Sequence, residues 1–296
     1  MRKVNRLPKI LISLDKKQEE RLFIKFLNHP EFPQHRQLIL RLFPNLSEML
    51  ESHKNEKGVI KKFITQYYLK HKDAITSAIR ESRKELEPAS KAIKALGEAM
   101  DYNWQKGVNY MAKPTILPFS PFNKNTFYFS IFDRIKGTGK RNVLTTAIHE
   151  ISHFIFFDFL KKIERGEKIS LSSDAKYYAK ETLTTAIFNE EPLRGVLKID
   201  NYRGNPEIRD IYVTTQNGSE KTFIEYTRNQ YLKNKKSGND FKKFLTEYVQ
   251  TISEMSDEFF QKRKIWNQWG NKLFKNQSEF AQYQKPIVIN SGLESN

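Results

Sequence analysis

Apolar residues recur at helical spacing through the first third of the chain. Leu22, Phe23, Phe26 and Leu27 share one face of a helix beginning near Gln18, because positions three and four apart lie one above the other. Pro30 and Pro33 break that run. A second amphipathic segment goes from His35 to about Ser52 and is interrupted near Pro44. A third starts near Lys57 and carries Ile60, Phe63, Ile64 and Tyr67. A fourth passes through Ile75, Ile79 and Leu86, and Pro88 separates it from a run over Ala92 to Met100. The pattern predicts helices over residues 17 to about 103, with polar outer faces and no chemical motif.

The texture changes near Val108. Pro114, Pro118 and Pro121 crowd the stretch from Met111 to Asn125. It leads into Thr126-Phe-Tyr-Phe-Ser-Ile-Phe132, the strongest strand signal in the chain because it is β-branched and aromatic. Gly137 and Gly139 mark a loop. It is not a phosphate-binding loop, since Arg134 stands where the first glycine belongs and Arg141 follows Lys140. Asn142 is the natural N-cap of a helix from Val143 to about Ile163, ended by Gly166. Ile148, Ile151, Phe154, Phe156 and Leu160 make that helix apolar nearly all round, which predicts a buried position. Ser172 to Asp174 can cap a next helix over about Ala175 to Asn189, closed by Pro192. Asn205-Pro206 can start another through Ile208 and Tyr212, and Phe223 to Leu232 and Phe241 to Trp266 also read as helical. The expected fold is mainly α with α+β character. A helical N-terminal region covers residues 1–107; residues 108–296 form a domain with a small sheet before a buried helix and a helical C-terminal part.

Composition narrows the chemistry. The 296 residues include no cysteine, which excludes a disulfide framework and leaves His, Asp and Glu as the ligands of any metal. The net charge is +17, but the lysines are spread along the chain among glutamates. That is the pattern of a solvated basic surface, and no specific nucleic-acid partner is expected. The apolar stretch Ile10 to Leu14 is too short for a secretory signal. No window is expected to reach the apolar run of a membrane span. The expectation is a cytoplasmic protein without a membrane partner.

The buried helix contains His149-Glu150-Ile151-Ser152-His153. Residues four apart share a helix face, so both imidazoles can hold one Zn²⁺ while Glu150 reaches a metal-held water as general base. In a chain with 6 histidines the chance occurrence of this spacing is on the order of one in a hundred. The segment resembles the zincin metallopeptidases of the gluzincin type, over about residues 110 to 200. The resemblance implies one Zn²⁺ per chain and hydrolysis of peptide or protein substrates. It also implies a third ligand, a Glu on the following helix. Glu181 is the first acid well inside that helix and is assigned this role, with Lys176 and Lys180 expected to point elsewhere. Asp158 lies about 140° around the helix axis from His153. Glu190 and Glu191 sit beside Pro192 at a helix end, and His71 and Glu98 belong to motif-free helices. The metzincin pattern is closed, because Phe159 stands at its third-histidine place and no His follows His153.

The resemblance departs from the better-known gluzincins in two places. Thr185 stands where an Asp often orients a ligand histidine. With no downstream His to stabilise an oxyanion, Tyr202, Tyr212 and Tyr226 are the candidates. The strand before the zinc helix is usually an edge strand that pairs with extended substrate, which would assign that role to Asn125 to Phe132. Two alternatives stay open. One is an ImmA/IrrE-like regulatory protease, imperfectly matched by Glu181, Ala186 and Pro192. The other is a basic nucleic-acid-binding or scaffold protein with a non-catalytic motif.

Overall fold

A computed structural model describes residues 7–29, 33–139, 142–269 and 283–289. Met1 to Arg6, Pro30, Lys140 and Arg141, on which parts of the sequence reading rested, lie outside the described residues. The described chain is mainly helical with two small sheets. It divides into two compact units, Met1–Ser90 with Gln105–Glu150, and Lys91–Trp104 with Ile151–Asn296.

The first unit opens with β1 (Ile10–Ile12) and then α1 (Lys16–Leu27), α2 (Pro33–Leu42), α3 (Pro44–Ser52), α4 (Glu56–Lys70) and α5 (Lys72–Glu85). The expected apolar face of α1 is its buried face, at Leu22, Phe23, Phe26 and Leu27. Its N-terminus is capped by Asp15, which accepts from the Gln18 N–H. Pro44 takes the first position of α3, where its missing N–H costs nothing. α6 (Ala89–Ala99) follows and runs across the division between the units.

Strands β2 (Tyr110–Thr115), β3 (Phe122–Asn123) and β4 (Thr126–Ser130) complete a sheet of order β1-β2-β4-β3. β1, β2 and β4 are parallel, and β3 returns antiparallel on β4. β4 is therefore an interior strand, which corrects the edge-strand expectation. The substrate-pairing role given to Asn125 to Phe132 loses its basis where β3 already occupies that side. The strand also ends sooner than expected, at Ser130, and Phe132 opens the short helix α7 (Phe132–Lys136).

α8 (Val143–Glu167) continues one residue beyond Gly166, so that glycine does not end it. Among the described residues it is the one helix long and apolar enough to cross a membrane, which corrects the expectation that no window would qualify. Of its most apolar window 67% is buried inside the protein, the burial of a core helix.

In the second unit α9 (Ser173–Phe188) is followed by α10 (Leu193–Leu197) and α11 (Pro206–Arg209). Tyr212 lies in a strand and not in a helix, because β5 (Tyr212–Thr214) pairs antiparallel with β6 (Glu220–Thr222) around Asn217-Gly218. Gly218 has φ 79°, the left-handed conformation such a turn asks for. α12 (Phe223–Lys236) begins with a capping box of Thr222 and Glu225. The expected single helix over Phe241 to Trp266 is two, α13 (Phe241–Glu254) and α14 (Ser256–Trp269). β7 (Ile287–Val288) adds to β5 in parallel. α9 packs against α12, α13 and α14, which leaves it almost no solvent face.

Candidate metal centre

Two caps fix the start of α8. The Asn142 side chain accepts from the Thr145 N–H at 3.0 Å, as its sequence position suggested. Glu85 accepts from the Val143 N–H at 2.8 Å and is itself held by Arg134 at 2.8 Å. A carboxylate here also faces the positive end of the helix dipole. Ser172 caps α9 through the Ala175 N–H. The helices are pinned where Ser152 and Thr184 share a hydrogen bond of 2.6 Å, with both hydroxyls buried. His153 follows Ser152, and Glu181 lies one turn before Thr184. This one contact therefore sets the register that brings imidazole and carboxylate together.

His149, His153 and Glu181 converge, with their ligand atoms all within 4.8 Å of one another. His153 is 1% and Glu181 6% exposed, while His149 is half-buried. The Nε2 of His153 lies 3.8 Å from the Oε1 of Glu181. Glu150 is buried on the same helix. Two nitrogens and a carboxylate oxygen within this reach form a group that can hold a metal ion. The edges of a tetrahedral zinc site with ligand bonds of about 2.0–2.1 Å are roughly 3.3 Å, so small side-chain movements complete the fit.

Lys180 departs from expectation. It is buried, its ammonium donates to Oε1 of Glu181, and its Nζ lies 3.4 Å from Nδ1 of His153. It also sits 5.2 Å from the centre of the Tyr177 ring, whose face carries the Arg263 guanidinium at 4.0 Å. Burial, foremost, and then the carboxylates of Glu207 and Glu181 push the Tyr177 hydroxyl well above the usual tyrosine range. That hydroxyl accepts from Asn205 at 2.7 Å. Sequence spacing could not announce Lys180, because a residue 100° around a helix from a ligand is ordinarily assigned to another face.

The chain matches no known family model, no curated protein and no solved structure. The site therefore stands on its own geometry.

The other acids are engaged elsewhere. Asp158 accepts from Lys162 and from the Tyr102 hydroxyl. Glu190 pairs with Arg228 and Glu191 with Arg194. Glu98 pairs with Lys94, and His71 packs against Tyr67. Thr185 does not take up the histidine-orienting role, since its hydroxyl donates to the Glu181 carbonyl one turn back. Thr184, through Ser152, is the hydroxyl that ties the two helices, and the motif comparison had no reason to single it out. Of the tyrosines, Tyr202 packs on Phe188, Tyr226 is buried on α12 and Tyr212 lies in β5.

Proposed function

We propose that this protein is a zinc-dependent peptidase of the gluzincin type, acting on peptide or protein substrates in the cytoplasm. The observation that carries the reading is the convergence of His149 and His153 with a carboxylate from the next helix, Glu181. The donor set fits zinc: two imidazoles and one carboxylate are the ligands of an open catalytic site. The charges support it too, since two buried carboxylates, Glu150 and Glu181, share the region with one buried lysine and gain from a further cation.

Bound zinc would supply Lewis acidity toward a carbonyl and lower the pKa of water to about 7. His149, His153 and Glu181 would hold the ion. The Glu150 carboxylate takes the proton from the attacking water and returns it to the leaving amine. Lys180 keeps Glu181 oriented through its hydrogen bond to Oε1. Ser152 and Thr184 keep the helices in register.

The test separates ligand from base. Glu150→Gln retains about one zinc per chain by elemental analysis, while hydrolysis of a fluorogenic peptide library falls about a hundredfold or more. His153→Ala loses both metal and activity. Near-normal turnover in Glu150→Gln, or purified protein without tightly bound metal after zinc supplementation, overturns the proposal.

A further inference from the structure

A second candidate site lies in the first unit and shares no residue with the metal cluster. A cavity of about 500 Å³ is formed where the start of α3, the end of α4 and the end of α7 meet. That is the size of a small-molecule pocket. Its walls carry Lys70, His71 and Lys136, with Glu48 as the acidic member among the described residues. Lys70 and Lys136, after burial, hold the His71 imidazole below its ordinary pKa, so both ammonium groups act on the same space.

The start of α3 adds to this charge. Its N-cap, Phe43, makes no side-chain cap bond, Pro44 has no N–H, and the first turn contains no acid. The helix therefore presents its positive end, including the Asn45 N–H, without the usual counter-group. Tyr67 lines the same cavity and is 8% exposed, and its buried hydroxyl has no protein partner. A native buried hydroxyl is rarely left so, because the lost hydrogen bond is costly. The rest of the wall is Gln66 with the apolar Leu42, Pro44 and Met49, backed by Phe43 and Tyr67 in edge contact at 5.6 Å and Phe63 at 5.8 Å from Tyr67.

We propose that this cavity binds a small organic anion, a phosphate or carboxylate carried on an aromatic body. The lysines and the α3 N-terminus would receive the oxyanion and the Tyr67 hydroxyl would donate to it. The ring would lie against Leu42, Pro44 and Met49, the apolar wall residues that keep exposed surface.

Calorimetric titration of the whole protein with phenyl phosphate, inorganic phosphate and benzylamine tests this. Phenyl phosphate should bind at least tenfold more tightly than either of the others. The double variant Lys70→Gln/Lys136→Gln should lose at least tenfold in affinity, which also separates this site from any binding at the metal cluster. Tyr67→Phe should melt at or above the temperature of the parent, since the hydroxyl has no partner to lose, yet bind phenyl phosphate several-fold more weakly. Equal binding of benzylamine, equal binding of inorganic phosphate, or an affinity unchanged by the lysine substitutions would each overturn the assignment.

Discussion

Glu19 and Glu181 are both buried glutamates on helices, 2% and 6% exposed, yet their surroundings give them opposite characters. Among the described residues Glu19, on α1, is met by neutral donors, the Ile116 N–H and the Thr115 hydroxyl, each at 2.9 Å. Burial outweighs those bonds and pushes its carboxyl up to about 7. Glu181 is met by an ammonium and by imidazole nitrogens. Neutral donors at the end of a strand leave a carboxyl that favours its proton, whereas an ammonium and two imidazoles surround a carboxylate placed where it could take a metal ion. Burial alone does not mark a functional acid; the chemistry of its neighbours does.

The sharpest way to break this contrast is to remove each acid in turn. Glu181→Ala should abolish metal binding and, by leaving the Lys180 ammonium buried without its carboxylate, cost about 3–5 kcal/mol in stability. Glu19→Ala should leave the metal content unchanged. Elemental analysis with denaturant melts decides, and zinc retained at full occupancy in Glu181→Ala would remove that residue from the ligand set.

Next in size is the pH dependence of the Glu19 side. Because its folded pKa lies above the ordinary value of 4.5, the folded state binds the extra proton. Its contribution is fully present below about pH 4.5, is lost as pH rises to about 7, and is flat beyond. The shift corresponds to roughly 3 kcal/mol at about 1.4 kcal/mol per pKa unit. Stability measured from pH 4.5 to 7 should fall more in the parent than in Glu19→Gln, and parallel curves would show that Glu19 titrates normally.

The smallest effect concerns register. Ser152→Ala strands the buried Thr184 hydroxyl and should cost about 1–3 kcal/mol. It should also weaken metal binding, whereas a substitution that merely loosens packing would lower the melting temperature and leave metal affinity alone.

Much of this was legible beforehand, for reasons that can be located. The spacing of Leu22, Phe23, Phe26 and Leu27 announced α1, and the breaks near Pro33 and Pro44 marked the following helices. His149 and His153 declared their shared face, and Glu181 followed from the gluzincin likeness. β2 was hidden because Tyr110–Thr115 contains Lys113 and Pro114, both poor strand signals. The proline is tolerated because β1 pairs only as far as Ala112, so on that side the ladder has already ended. β5 and β6 did carry a signal, the Asn217-Gly218 turn, but its flanking strands are three residues each and lack clear alternation. Lys180 was misplaced because its burial comes from several elements packing around α9, which no periodicity within α9 can express.

That enclosure has a consequence for how the chain can vary. From Tyr178 to Phe188 every residue of α9 is buried, polar and apolar alike. α5, by contrast, fully buries only Ile75, Ala78 and Ser82 and leaves its other positions half-buried or exposed. A library of substitutions across α5 would show the helical beat, with tolerant and intolerant positions alternating by turns. Across α9 the beat would vanish into one continuous block of intolerance. A polar stretch such as Lys180 to Thr185 would then behave under mutation like the centre of a hydrophobic core, although its composition resembles a surface.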